Sequence, residues 1–277
     1  DLDLILQAYH SLFDLRPLLF FDEIQNIEGW EHFARRLANQ KYNIYITGSN
    51  AKMLSREIAT TLGGRFWNKD VYPYSFAEYL NARDIILSKN WMYGKQAAEV
   101  SKAFNDYFLY GGFPELTDVI AKRVWLNDIY SKIFFSDLIV RNKVRNEEAL
   151  GLLVRRLAEN VKQPVSYTRL ANLISSIGIK ISKATVIEFI RYLKESCLIF
   201  PIENYAAKFA ERNSNMKHYF IDNGLLSIFL LDGNTSLLEN IVAIHLYKRY
   251  GAQLYFYNQN IEVDFIIPEA KTAIQVS

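Results

Sequence analysis

Two adjacent carboxylates follow a short apolar segment near the start of the chain. Asp22 and Glu23 come directly after Leu18–Phe21, four residues that are typical of a buried β-strand. In nucleotide-hydrolysing proteins, the first acid at such a strand end holds the Mg²⁺ shell, and the second polarises the attacking water. The sequence therefore predicts that Asp22 is a ligand of nucleotide-bound Mg²⁺ and that Glu23 contacts the nucleotide as the catalytic base. An apolar run ending in two acids also arises by chance, so this prediction depends on the neighbouring elements.

Small polar side chains follow the next predicted strand, Tyr42–Thr47. Because parallel strands end at the same edge of a sheet, Ser49 or Asn50 is predicted to orient the water against the γ-phosphate. Arg65 follows a Gly-Gly pair at a predicted helix end, from which a guanidinium could reach the phosphate of a neighbouring subunit. That role would make the protein a homo-oligomer. The alternative for Arg65 is an ordinary surface arginine.

A second group of acids lies near the end of the chain. Glu239, in a predicted helix, and Asp264, in a predicted strand, follow the order of restriction-endonuclease-like sites, in which carboxylates hold a divalent cation and a lysine activates water. The third acidic position is Gln275 here, and the lysine position is Ser277. Glu239 and Asp264 are therefore candidate metal ligands in a retained fold with a polar, non-hydrolytic site. An active nuclease and two simple surface charges are the alternatives.

The middle of the chain offers cations on one predicted helix. Lys183, Arg191 and Lys194 face outward at helical spacing and are candidates for contact with DNA phosphates. Glu188 and Glu195 interrupt the same face, which argues against sequence-specific reading. The alternative is that this helix packs against another protein, since winged helices serve both purposes.

Predicted strands and helices alternate in the first part of the chain. The apolar strand Leu18–Phe21, a helix over Glu31–Asn39 and the strand Tyr42–Thr47 predict a β-α-β unit with a parallel sheet. A helix over Ala51–Leu62 and a strand over Phe66–Tyr72 are expected next.

The remainder is predicted to form helices, then three helices with a hairpin, then a helix with three strands. Ser166 and Ser182 are predicted to cap the second and third of these three helices. Helix, helix, helix, hairpin is the order of a winged helix-turn-helix. The predicted class is α/β, with a partial P-loop-type parallel sheet, a helical lid, a winged helix-turn-helix and a partial endonuclease-like region. The corresponding domains are 1–74, 75–146, 147–222 and 223–277.

Composition narrows the classes of partner and compartment. The net charge of +2 is unevenly spread, with 15 Lys/Arg against 17 Asp/Glu in residues 1–140, 14 against 7 in 141–217, and 3 against 6 in 218–277. A polyanion would therefore meet the central block. Cys197 is the single cysteine, which excludes an intramolecular disulfide and fits a reducing compartment. No apolar run has the roughly 18 residues of a membrane span, so no membrane partner and a cytoplasmic location are expected.

Five segments, taken in order, resemble the AAA-type ATP-binding proteins of bacteria and archaea that carry a winged helix and an endonuclease-like C-terminal domain of unknown function. The segments are FFDEIQNIEGWE, YITGSNAKMLSREIATTLGGR, VYPYSFAEYL, YFLYGGFPE and VSYTRLANLI…SKATVIEFIRYLKESCLIFPI…HYFIDNGL. The resemblance implies ATP and Mg²⁺ as ligands and a helical lid around GGFPE. It assigns Asp22 and Glu23 to the metal and water roles, Asn50 or Ser49 to the sensor, and Arg65 to an arginine finger.

The chain departs from that family in one respect. It contains no G-x-x-x-x-G-K-[ST] phosphate loop, and the resemblance implies one upstream in the complete protein. We therefore expect an internal piece of a longer ATP-hydrolysing molecular switch, which by itself binds ATP weakly or not at all. The alternatives are a non-catalytic DNA-binding or protein-interaction scaffold and a Mg²⁺-dependent nuclease.

Overall fold

The chain divides into two compact units, Asp1–Val71 and Tyr72–Ser277, and each has its own apolar core. The computed structural model describes residues 2–24, 27–48, 62–64, 66–208, 212, 214–231 and 233–277. Among these residues, no helix combines the length and the apolar character that crossing a membrane requires.

The first unit contains the predicted β-α-β arrangement. Helix α1 (Leu2–Leu12) precedes strand β1 (Leu19–Phe21), helix α2 (Trp30–Asn39) and strand β2 (Ile44–Ile46). The two strands pair in parallel, with Phe21 opposite Ile46, so the predicted parallel pairing is confirmed.

Helix α2 covers these strands because its apolar residues recur at helical spacing. Trp30, Phe33, Ala34 and Leu37 are all buried and lie at intervals of three and four residues along one face. Phe33 and Leu37 pack with Leu19 of β1 in one apolar cluster. The unit thus brings the carboxyl ends of β1 and β2 side by side.

One predicted strand of this block is wrong. Residues 66–72 form no strand, and Trp67 and Val71 are 95% and 92% exposed. Aromatic and β-branched residues favour a strand only where a neighbour covers them, and here their side chains face solvent. The predicted helix over 51–62 lies outside the described residues except for Leu62, which is helical and buried.

The second unit begins with helices. They are α3 (Phe76–Ala82), α4 (Lys95–Tyr110) and α5 (Lys122–Lys132), which continues into a π-helical segment, Ile133–Val140. A capping box starts α3, because the Ser75 hydroxyl accepts from the Glu78 amide while the Glu78 carboxylate accepts from the Ser75 amide. Helix α4 ends at Gly111, whose φ of 80° is a conformation that favours glycine.

Further helices and a mixed sheet complete this unit. The helices of the predicted winged helix-turn-helix region are α6 (Glu147–Glu159), α7 (Tyr167–Ser175) and α8 (Lys183–Glu195). The predicted caps Ser166 and Ser182 are confirmed, since their side chains accept hydrogen bonds from the amides of Arg169 and Thr185. Two helices follow, α9 (Asn223–Ser227) and α10 (Asn234–Tyr250).

The hairpin and the C-terminal strands form one sheet of order β3-β5-β4-β6-β7-β8. The strands are β3 (Val165–Ser166), β4 (Ile199–Asn204), β5 (Asn215–Phe220), β6 (Tyr255–Asn258), β7 (Glu262–Ile267) and β8 (Thr272–Ile274). Strands β4 and β5 are antiparallel, whereas β4 and β6 pair in parallel, with Glu203 opposite Tyr255. One apolar core extends from Leu138 to Ile267. The division of this unit into three predicted domains stays a prediction.

Candidate functional site

The carboxyl ends of β1 and β2 bring three polar groups together. The Thr47 hydroxyl donates a hydrogen bond to Asp22 Oδ1. The same hydroxyl accepts a hydrogen bond of 3.2 Å from the backbone amide of Glu23. The Thr47 amide in turn donates to the carbonyl of Phe21 at 2.9 Å, which continues the parallel ladder by one step. Thr47 therefore fixes the position of the two acids relative to the neighbouring strand.

The backbone at Glu23 turns sharply away from the strand. Its φ is 48°, in the left-handed region that residues other than glycine rarely adopt. Asp22 is exposed and Glu23 is half-buried. Unusual backbone conformations of this kind are frequent at functional sites, where the surrounding contacts maintain them. Here the Glu23 amide donates to the Thr47 hydroxyl of the neighbouring strand.

The residues at this edge fit Mg²⁺ but not, by themselves, a triphosphate. Asp22 is an exposed carboxylate, a hard oxygen ligand of the kind that Mg²⁺ takes together with several waters. A triphosphate needs a cradle of backbone amides and a lysine, and the chain has no phosphate-loop sequence that would supply them. Ser49, Asn50 and Arg65, the predicted sensor and finger residues, lie outside the described residues.

The two acids predicted near the C-terminus do meet in one pocket. Glu239 of α10 and Asp264 of β7 are each 4% exposed. Gln275 is close by, because its Oε1 accepts from the Asp264 amide at 3.3 Å, and the Val276 amide donates to Asp264 Oδ2 at 2.9 Å. A cavity of about 280 Å³ adjoins them, lined by Lys162, Gln163, Thr235, Leu238, Glu239, Glu262, Asp264, Gln275, Val276 and Ser277.

A lysine that no sequence motif singles out lies between these acids. Lys217 of β5 is fully buried, and its Nζ lies 3.2 Å from Glu239 Oε1 and 3.1 Å from Asp264 Oδ1. The Tyr219 hydroxyl also donates to Glu239 Oε1, at 2.7 Å. Burial raises the pKa of Glu239 above its ordinary value, although Lys217 and Tyr219 oppose this. Among the described residues, no three His, Cys, Asp or Glu side chains are arranged to hold a metal ion.

The predicted DNA-facing helix, α8, exposes all three candidate cations. Arg191 lies 3.9 Å from Glu188 and 3.5 Å from Glu195, so acids of its own helix surround its guanidinium. Lys183 and Lys194 form no ion pair with any residue that the structure describes. The two lysines are therefore the cations of this face most available to a phosphate.

A further buried carboxylate, which sequence reasoning missed, joins the helical segment to the hairpin. Asp222 follows β5 and is 3% exposed. Its Oδ2 accepts from the amide of Gly112 at 2.7 Å, and its Oδ1 accepts from the amide of Gly224 at 2.8 Å. Burial raises the pKa of Asp222 to about 6, although these amide donors and Lys248 lower it.

Two asparagines extend this connection. The Asn223 side chain donates to the carbonyls of Phe108 and Leu237 at 2.9 Å and 3.0 Å. Asn240 of α10 accepts from the Phe220 amide at 2.8 Å and donates to Asn223 Oδ1 at 2.9 Å. The only sequence signal for a pairing of the segments GGFPE and FIDNGL is that both combine glycine with residues typical of turns.

Comparisons with known proteins match two parts of the chain. Residues 1–80 match the sequence profile of a family described as an AAA domain. Residues 101–236 match one described as a domain of unknown function, DUF8612. The first match supports an AAA-type, P-loop NTPase-like family, and such a domain suggests the use of nucleotide and Mg²⁺.

Three similar curated proteins carry names that call them uncharacterized. One from Methanocaldococcus jannaschii is 34% identical over 267 residues, covering 93% of this chain and 60% of its own length. One from Haemophilus influenzae is 32% identical over 263 residues, covering 92% and 64%. A second protein of M. jannaschii is 24% identical, covering 95% and 62%. The chain thus spans about three fifths of the length of the curated relatives that it matches.

Proposed function

We propose that the chain is part of an ATP-hydrolysing molecular switch of AAA type, in which the nucleotide-binding unit is coupled to a winged helix. The observation that carries this proposal is the Thr47 hydroxyl, which bonds both Asp22 and the Glu23 amide where two parallel strands end. The AAA-domain match over residues 1–80 covers the same elements and supports it.

The two acids divide the chemistry between them. Asp22 holds the water shell of Mg²⁺, which neutralises charge on the triphosphate, and Glu23 accepts a proton from the attacking water. Ser49 or Asn50 orients that water, and Arg65 reaches the phosphate of a neighbouring subunit in a homo-oligomer. These 277 residues contain no phosphate-loop sequence, so a phosphate cradle would have to be supplied by other residues.

Phosphate release by the natural protein that contains this sequence tests the proposal. In the presence of Mg²⁺ and ATP, Glu23→Gln is expected to lower the rate by about a hundredfold or more, because a general base contributes roughly 10²–10⁴. ATP binding should persist, since the amide keeps the shape of the carboxylate. Asp22→Asn should weaken the dependence of the rate on Mg²⁺.

Glu28→Gln is the matched control, because Glu28 is an exposed acid of the same segment. Its rate should equal that of the unaltered protein. A Glu23→Gln variant that also retains the full rate removes Glu23 from the mechanism. A protein that releases no phosphate from ATP in any form contradicts the proposal as a whole.

A second candidate function is binding of DNA through residues 147–222, taken as a winged helix-turn-helix. The observation that favours it is the exposure of Lys183 and Lys194 on α8, where no acid of the described residues neutralises them. Since Glu188 and Glu195 surround Arg191, this surface suits phosphate contacts better than the reading of base edges. A mobility shift on duplex DNA that weakens steeply with salt would support it, and a flat response would argue for protein packing instead.

A further inference from the structure

We propose that Lys217 is the resident cation of the C-terminal pocket and takes the place between Glu239 and Asp264 that a divalent metal ion would otherwise occupy. The ammonium then offsets part of the carboxylate charge of this pocket without metal. This proposal does not rest on the ATPase function, since it concerns only β5, α10 and β7 of the second unit.

The geometry around Lys217 Nζ is that of a bound cation. Three carboxylate oxygens surround it, those of Asp264 at 3.1 Å, Glu239 at 3.2 Å and Glu262 at 3.4 Å. An ammonium has three N–H donors, so each can point at one carboxylate. The ring of Phe256 adds a fourth contact, with its centroid 5.6 Å from Nζ.

Because Lys217, Glu239 and Asp264 are buried, their arrangement excludes a second cation. The Lys217 side chain is fully buried, and those of Glu239 and Asp264 are 5% and 6% exposed. Buried charges persist only when they are paired and hydrogen-bonded, and these acids also receive the Tyr219 hydroxyl and the Val276 amide. A second cation at the same oxygens would lie within a few ångströms of the ammonium, where like charges repel strongly away from water.

Removal of the lysine charge would leave a site that suits a metal ion. One oxygen of Glu239 and one of Asp264 come from different elements and lie 3.2 Å and 3.1 Å from one point, the position of Lys217 Nζ, so these two carboxylates and water would hold the ion. Hard divalent cations such as Mn²⁺ and Mg²⁺ prefer such carboxylate oxygens. The adjoining cavity of about 280 Å³ gives room for entry and for coordinating water.

The consequence is that the C-terminal pocket would not be a metal site in the unaltered protein. An effect of Mg²⁺ on this protein would then arise at a site other than Glu239 and Asp264. Metal-dependent hydrolysis of a phosphodiester in the C-terminal pocket would require the Lys217 ammonium to leave its present position first.

Titration of the full chain with MnCl2 tests the proposal, with thermal unfolding and Mn²⁺ electron paramagnetic resonance as readouts. The unaltered protein and the Asp264→Asn variant should bind the same amount of Mn²⁺. Lys217→Met should unfold at a lower temperature than the unaltered protein without metal, regain stability as MnCl2 is added and bind one additional Mn²⁺ per chain. Adding Asp264→Asn to Lys217→Met should abolish the extra ion.

Lys162→Met is the matched control, because Lys162 lines the same cavity but its Nζ bonds Thr235 and not these acids. It should bind no additional Mn²⁺. If Lys217→Met does not fold alone, refolding in MnCl2 replaces the titration, with the triple variant Lys217→Met, Glu239→Gln, Asp264→Asn as a neutral reference.

Two results would overturn the proposal. In one, the unaltered protein binds Mn²⁺ and the Asp264→Asn substitution abolishes that binding, which would show that metal and lysine share the pocket. The other is a Lys217→Met chain that gains no Mn²⁺ when folded, or that MnCl2 does not refold although the neutral triple variant folds.

Discussion

Asp222 and Gly112 are 110 residues apart in the chain and are joined by a buried hydrogen bond of 2.7 Å, from the Gly112 amide to Asp222 Oδ2. Gly111, one residue earlier, approaches the same carboxylate so closely that a Cβ built on it would overlap Oδ1. The end of helix α4 and the end of strand β5 therefore form a contact that only glycine permits.

Gly111→Ala is expected to lower the free energy of unfolding by roughly 2–4 kcal/mol, because it adds a steric clash to a backbone conformation that disfavours a side chain. Gly178→Ala is the control, since Gly178 also has a positive φ, of 94°, but nothing lies within 4 Å of its added Cβ. It should cost only about 1 kcal/mol. Urea unfolding of the two variants measures the difference. Equal losses in the free energy of unfolding would show that the close approach of Gly111 to Asp222 does not affect stability.

Asp222 and His218 are two buried groups whose protonation should change the stability of the protein in opposite directions. Burial raises the pKa of Asp222 to about 6 from an ordinary 3.8, so the stability that its protonation contributes is complete below pH 3.8 and lost as the pH rises through 6. Burial and Lys194 lower the pKa of His218 to about 4 from 6.5, so its contribution is complete above pH 6.5 and lost as the pH falls through 4. Each shift corresponds to about 3 kcal/mol, with opposite sign.

Single substitutions should separate the two effects. On going from pH 7 to pH 4, His218→Phe is expected to gain stability relative to the unaltered protein, by about 3 kcal/mol, because the unfavourable protonation is gone. Asp222→Asn should lose stability relative to the unaltered protein over the same range. Urea unfolding at several pH values checks both, and differences from the unaltered protein that stay constant with pH would contradict the assignment.

Thr47→Val should impair hydrolysis in the natural protein without removing either acid. The valine keeps the shape but loses the hydroxyl that bonds Asp22 and the Glu23 amide, so the rate of phosphate release is expected to fall roughly ten- to a hundredfold. Thr47→Ser retains the hydroxyl and should retain most of the rate. Equal rates in the two variants would mean that Thr47 does not position the acids.

The acids on α8 should weaken any contact with DNA. Replacing Glu188 and Glu195 by glutamine frees Arg191 and is expected to tighten binding to duplex DNA, measured by fluorescence anisotropy. Lys183→Gln should weaken binding and reduce the salt slope by about 1. Lys102→Gln, at an exposed position of α4, makes the same charge change elsewhere and should leave the slope unaltered.

The sequence predicts well where side-chain spacing alone decides the structure. The β-α-β rhythm gives the parallel pair β1 and β2, and the caps Ser166 and Ser182 start helices where expected. The strand predicted over 66–72 fails because propensity does not reveal whether a partner covers the side chains.

The candidate sites were partly predictable for the same reason. Periodicity and motif order single out Asp22, Glu239 and Asp264. Lys217 was not predictable, because its charge is brought to the acids by a strand 22 residues from Glu239 and 47 from Asp264. Asp222 was missed because its partner, Gly112, contributes only a backbone amide, which carries no signal in a sequence.

The parallel pairing of β4 with β6 determines how shortened versions of this protein must be interpreted. A chain that stops after residue 222 loses β6 and leaves the backbone groups of Glu203 and Asn204 without their neighbouring strand. An uncovered edge of this kind recruits other chains and promotes aggregation. Loss of activity in such a deletion would therefore not by itself show that a functional module has been removed, whereas point substitutions avoid that confusion.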